Sequence, residues 1–183
     1  MTKIVIDTCV LYPTVMREIV VGVAEQEVFT PLWSQRILEE WARAAIKLGP
    51  TGEAQARAEI ALLRARFPNS EVDLSSYSDA RLWLPDDNDV HVLAAAVHGH
   101  ADSIMTLNAK DFPRHVLAEE GISRIDPDGY LMDVWQMFPD RVEAAARNVL
   151  STANQLTNDQ WDMRGLLKKA RLPRLAKALA QVS

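Results

Sequence analysis

Acids and one amide stand at the ends of short apolar runs, or just ahead of them, where side chains of those types could gather around a cation. Asp7 closes the run KIVID, Asp86, Asp87 and Asp89 precede the apolar stretch Val90–Val97, and Asn108 and Asp111 follow SIMTL. Glu40 falls three residues beyond Ile37 and four before Ala44. On a helix that spacing sets it on or beside the apolar side, an odd place for a carboxylate with no partner. Carboxylates converging on one cleft repel one another unless a cation binds between them, and oxygen-only ligands suit a hard cation, Mg²⁺ or Mn²⁺. Such a centre polarises a phosphoryl oxygen, activates water and stabilises the leaving oxygen of a phosphodiester. Acids at helix starts also serve as caps and solvated turns, so spacing alone leaves both uses open.

Positioning those side chains requires strands and helices in alternation. Lys3–Asp7 reads as a short buried strand and Pro13–Gln26 as a helix burying Val15, Ile19, Val20 and Val23. Val28–Trp33 reads as a second strand. Ser34 is suited to cap a helix running to Leu48, which Gly49-Pro50-Thr51-Gly52 stops. Glu53–Arg66 is a further helix, with a loop or short strand in Val72–Leu84 and a helix start in Pro85–Asp89. Ser103–Leu107 and Ser123–Ile125 read as strands around a short helix at Phe112–Glu120. Only helices follow: Leu131–Met137, Asp140–Leu150, Asp159–Ala170 and Pro173–Val182. This alternation predicts the α/β class, a central parallel sheet covered by helices on both faces. In such sheets ligands bind beyond the carboxyl ends of the strands, where Asp7, Asn108 and Asp111 fall.

The chain has 183 residues, 48% hydrophobic and 25% charged, with 7 Gly and 9 Pro. That excludes collagen-like, low-complexity and extensively disordered chains, and it suffices for an ordinary core without structural metal. The single cysteine, Cys9, excludes an internal disulfide and fits a reducing compartment. The longest stretch free of Asp, Glu, Lys and Arg is Val90–Ala101, twelve residues, against about 20 for a membrane span. With no signal-peptide pattern after Met1, a cytoplasmic location is expected. Residues 161–183 hold six basic residues and one acidic, which leaves 14 basic against 24 acidic in 1–160.

Other side chains invite chemistry but have plainer uses. Cys9 has no evident activating base and reads as a small buried hydrophobe. His91, His98 and His100 lack the cysteine or carboxylate that would complete a tetrahedral zinc set. Trp33, Trp41, Trp83 and Trp135 fall in apolar patterns expected of a core, whereas Trp161 borders the basic tail. In that tail Arg164, Lys168, Lys169, Arg171 and Arg174 are open to three uses: solvated faces of two amphipathic helices, contacts to RNA phosphates, or docking of an acidic partner.

Four stretches, KIVIDTCVLYP, PLWSQRILEEW, LPDDNDVHVLAAAV and IMTLNAKDFP, taken in order with the all-helical tail from DPDGYL, resemble the PIN-domain family and within it the VapC-type toxins. The resemblance covers nearly the whole chain. It implies a three-layer α/β/α sandwich in residues 1–126, with a helical C-terminal extension, 127–183, packed on the same domain. It further implies a Mg²⁺- or Mn²⁺-dependent endoribonuclease acting on transfer or ribosomal RNA, a cognate antitoxin and homodimerisation. Carried over by position, Asp7, Glu40 and Asp89 match the family's acids. Asn108 stands where many relatives have a fourth, so the missing carboxylate would come from Asp111, and which of the two faces the metal is open. Asp7 and Asp89 would then hold the metal with Asp111 or Asn108 completing the shell, Glu40 would act on the attacking water, and Thr8 and Thr106 would hydrogen-bond around them. The Asn108 departure keeps a second class open, an inactive member serving as a binding module. A dehalogenase-like phosphatase also begins with a strand-end acid but wants a second Asp where this chain has Cys9.

Overall fold

In the computed structural model the described residues are 1–76, 81–157 and 160–181. They divide into two compact units, the first comprising Met1–Tyr12 and Phe29–Ile125, the second Pro13–Val28 and Asp126–Ser183.

The first unit is built on five parallel strands: β1 (Lys3–Ile6), β2 (Thr30–Ser34), β3 (Glu71–Val72), β4 (Ser103–Met105) and β5 (Ser123–Ile125), in the order β3-β2-β1-β4-β5. Val5 pairs with Leu32 on one side and Ile104 on the other. Central parallel strands are buried on both faces, which is why Ile4, Val5, Ile6, Ile104 and Met105 read as unbroken apolar runs and are fully buried. Around the sheet lie α1 (Thr8–Leu11), α3 (Gln35–Ala44, continued by a 3₁₀ turn at Ala45–Leu48), α4 (Gly52–Arg66), α5 (Val90–His98, entered through a 3₁₀ turn at Asp87–Asp89) and α6 (Arg114–Glu119). Helix α5 packs across β1, β2 and β4, α3 on β2 and α6 on β5. The expected α/β/α class with a parallel central sheet is the fold observed.

Ser34 caps α3 as its sequence suggests, its Oγ accepting from Ile37 N at 3.3 Å. Trp33 and Trp41 are core residues, as expected. Trp83 is not: it is 59% exposed, because it sits in an irregular segment between the buried Leu82 and Leu84 that carries alternate side chains to solvent. Trp135 is half-buried, its Nε1 donating to Glu143 Oε1 at 3.3 Å.

The second unit is helical: α2 (Thr14–Glu25), α7 (Pro127–Met137), α8 (Pro139–Leu156), α9 (Met163–Lys169) and α10 (Pro173–Leu179). Helices α2 and α8 approach closely where Gly22 meets Ala145; a Cβ at Gly22 would lie 3.2 Å from that of Ala145. Of the expected tail helices, the first included Asp159 and the last Val182, both outside the described residues. No helix among the described residues is long and apolar enough to cross a membrane.

Asp128, buried in this unit, accepts from the backbone N–H groups of Arg174 and Leu175 at 2.9 and 3.1 Å and so caps α10 from another helix. Asp128→Ala leaves both donors unpaired. It is expected to cost about 2 kcal/mol of unfolding free energy, read from the urea midpoint.

Candidate functional site

The carboxyl end of β1 delivers Asp7 and that of β4 delivers Thr106 and Asn108, on adjacent strands in the middle of the sheet. Asp7 precedes α1 and Asp89 precedes α5, yet neither side chain caps its helix. Asp7 is instead buried, its Oδ2 accepting from Thr106 Oγ1 at 2.7 Å and Cys9 Sγ at 3.0 Å. Capping is the task of Asp86, whose Oδ1 accepts from Asn88 N at 2.9 Å.

Asp86, Asp89 and Asp111 each bring a carboxylate oxygen to within 4.8 Å of the others. Of the two uses the sequence leaves open for Asp86, cap and member of an acid group, it has both. Asn108 joins the group as a neutral donor, its Nδ2 lying 2.6 Å from Asp111 Oδ2 and 3.5 Å from Asp89 Oδ2. Its backbone N–H is held by Thr106 Oγ1 at 2.9 Å, so one threonine orients both Asp7 and Asn108.

Burial, followed by the charges of Asp7, Asp86 and Asp111, pushes the Asp89 carboxyl up to about 6. A half-buried acid under that repulsion, facing an oxygen-only donor set, fits a hard divalent cation. Asp89, Asp111 and Asp86 would hold it, with Asp7 beside them.

The shift has a consequence for stability. The folded state keeps the Asp89 proton to higher pH than the unfolded chain, whose Asp ionises near 3.8. Stability therefore falls as pH rises from about 4 to about 6, and the deficit is complete above that. Unscreened, the shift is worth about 3 kcal/mol. Solvent screening of a half-exposed carboxylate leaves about 1 kcal/mol. Asp89→Asn in EDTA is expected to raise the melting temperature at neutral pH and to flatten its pH dependence in that window, as followed by thermal melts.

Cys9 is more than a small hydrophobe. Its Sγ donates to Asp7 and accepts from Leu107 N at 3.2 Å. Burial first, and then the Asp7 charge, push the thiol up to about 12, so it stays protonated.

Glu40 is gripped on its own. Its Oε2 accepts from Thr8 Oγ1 at 3.2 Å, and Arg36 Nε lies 3.4 Å from its Oε1. His91 Nε2 lies 2.9 Å from the same Oε1, close enough for an ion pair yet out of line for a hydrogen bond. Burial raises the Glu40 carboxyl, but His91, Thr8 and Arg36 together outweigh it and hold the group below its ordinary value. His91 itself is 4% exposed and its Nδ1 has no partner. In sequence it is one more residue at the head of an apolar helix, with nothing to tie it to Glu40. A groove of about 860 Å³, lined by Gln35, Arg36, Glu40, Asp73, Ser75 and Asn88 among others, opens beside Glu40.

A parallel-sheet α/β domain with a carboxylate cluster at its carboxyl edge is the class this fold and site define. Residues 3–110 match the family model described as PIN domain, and the chain belongs to that family. Asp111 stands just past the matched segment. Over 56 residues the chain is 39% identical to a Mycobacterium tuberculosis protein named "Putative ribonuclease VapC50". That match covers 31% of this chain and 33% of the relative, so the chain matches about a third of that protein's length. No solved structure matches the chain significantly.

Proposed function

We propose that the protein is a divalent-metal-dependent endoribonuclease of the toxin type. The observation that carries this reading is the convergence of Asp86, Asp89 and Asp111, repelled further by Asp7, at the carboxyl edge of the sheet. A bound Mg²⁺ or Mn²⁺ would supply Lewis-acid stabilisation of charge on the scissile phosphate. The chain's own residues do the rest. Thr106 and Cys9 fix one oxygen of Asp7, and Asn108 spaces Asp89 from Asp111 without adding charge. Glu40, kept ionised by the groups around it, takes the proton of the attacking water. The groove beside Glu40 would accommodate nucleotides flanking the cut.

The remaining parts of the reading are proposals of the same standing. They are a transfer or ribosomal RNA substrate, inhibition by a cognate antitoxin, homodimerisation and a cytoplasmic location. The division of labour is proposed as catalysis in 1–126 and a helical extension in 127–183, although Pro13–Val28 groups with the latter. The name of the mycobacterial relative and the family membership support the ribonuclease class. The second reading, a binding module without activity, is favoured by the amide of Asn108 where the family resemblance implies an acid.

Total RNA incubated with purified protein distinguishes the two. Discrete fragments with Mg²⁺ or Mn²⁺, absent in EDTA, are expected of the nuclease. Intact RNA at every metal concentration, from folded protein free of any bound partner, would favour the module.

A further inference from the structure

The cations of α9 and α10 are used differently from the arginines elsewhere in the chain. In the first unit Arg36, Arg43, Arg57, Arg64 and Arg81 each meet a carboxylate at 2.6–3.4 Å. In the second unit too Arg17 meets Glu18 and Arg147 meets Glu143. In α9 and α10 Arg164, Lys168, Lys169, Arg171, Arg174 and Lys177, six cations within fourteen residues, are all exposed, and none of them meets a carboxylate among the described residues. Of the six, Lys169 meets a side chain, its Nζ lying over the ring of Trp161 at 4.5 Å. The apolar sides of the two helices, Leu166, Leu167, Leu172, Leu175 and Leu179, are buried, so the charges occupy what remains.

The nearby acids are committed elsewhere. Asp162 accepts from Gly165 N at 2.6 Å, Asp128 from the backbone at Arg174 and Leu175, and Asp126 from Gly129 N at 2.8 Å. Lys168 and Lys169 suit the last turn of α9, where a cation meets the negative end of the helix dipole. Arg164 and Arg174 do not: each is the second residue of its helix, where a cation is disfavoured. An unpaired charge placed against its own helix is not explained by folding, and such local conflicts concentrate at functional surfaces.

We propose that Arg164, Lys168, Arg171, Arg174 and Lys177 with Lys169 bind the phosphate backbone of RNA, a role distinct from that of the acid cluster. That the polyanion is RNA rests on the nuclease reading above. Residues 1–160 carry a net charge of −10 and repel a polyanionic substrate at long range, so capture needs an attractive surface. Arginine forks match phosphate oxygens, and a row of exposed cations without hydrogen-bond readout gives affinity without sequence preference.

The test uses the full chain and a fluorescein-labelled RNA hairpin, with anisotropy read in EDTA so that nothing is cut. Arg164→Gln/Arg174→Gln is expected to weaken binding about tenfold at low salt and to reduce the slope of log affinity against log salt by about 1.5. The same variant should melt no lower than the parent, since each substitution removes a cation from a first helical turn. A loss of affinity without a loss of stability therefore reports the surface itself. Unchanged affinity and slope in the folded variant would overturn the proposal. So would unchanged RNA binding together with lost binding of a labelled poly-glutamate peptide, which would assign the face to an acidic protein partner. The two readings fail separately. Charge-dependent RNA binding by a protein that never cuts RNA with Mn²⁺ keeps the surface and removes the nuclease. Metal-dependent cutting by a protein whose RNA binding ignores the two arginines does the reverse.

Discussion

Asp7→Asn is expected to lower RNA cleavage by about 10³-fold while the protein stays folded. The carboxylate sits at the convergence of β1 and β4, and its charge contributes to the repulsion that raises Asp89. Removing it takes a negative charge from beside the proposed cation site, and stabilisation of a reacting phosphate by a bound metal is worth several kcal/mol. At about 1.4 kcal/mol per tenfold in rate, the predicted loss corresponds to about 4 kcal/mol, most of that contribution. The amide oxygen can still accept from Thr106, so the buried hydrogen bond of 2.7 Å has a replacement. Stability in EDTA should hold or rise, because one charge has left a crowded group. Cys9 offers an independent readout: its thiol is pushed up by burial and then by Asp7. The substitution should bring that value down and speed reaction with a disulfide reagent at alkaline pH. Wild-type cleavage by a folded Asp7→Asn protein would remove Asp7 from the site.

Much of the first unit is legible because its central strands are buried on both sides. Ile4-Val5-Ile6 and Ile104-Met105 are unbroken apolar runs, and Ser123–Ile125 falls where the sequence puts it. Strand β3 is only Glu71–Val72, paired with Trp33 and Ser34, and two residues carry no periodicity to read. Helix α8 runs to Leu156, past the expected Leu150, because its last turns are largely exposed and show no apolar stripe. The assignment of α2 to the helical unit is not legible either. A helix with Ile19, Val20 and Val23 buried announces that it packs, but not whether it packs on the strands beside it in sequence or on α8, far along the chain.

At the site, sequence could point to acids but not to their division of labour. Asp7, Asp86 and Asp89 all look like helix starts. Only the geometry shows that Asp86 caps while the other two leave their helices uncapped. Asn108 read as a departure from an acidic pattern; in place, it is the donor between Asp89 and Asp111. The pairing of His91 with Glu40 is not legible for a different reason. Glu40 is on another helix, fifty-one positions earlier, and no local spacing encodes that contact.

The pairing of His91 with Glu40 leads to the second large effect. Glu40→Gln keeps the size and the contact with Thr8 but cannot accept a proton, and loss of a general base costs about 10²–10⁴-fold. His91 is buried and its imidazole lies 2.9 Å from the carboxylate that Thr8 and Arg36 also hold, so on the proposed reading it acts through Glu40. His91→Ala is expected to lower kcat about 10- to 100-fold with little change in KM, the usual size for a group that orients another. It should also raise the acid limb of the pH profile, because His91 is the leading group holding the Glu40 carboxyl down against burial. His91→Gln, whose amide N–H can reach where Nε2 stands, should recover most of the rate. Combined with Glu40→Gln, the histidine substitution should add almost nothing, since its effect passes through a carboxylate already gone. An acid limb that stays in place in His91→Ala, or losses that multiply in the double variant, would show that His91 serves only to fill the core between α3 and α5.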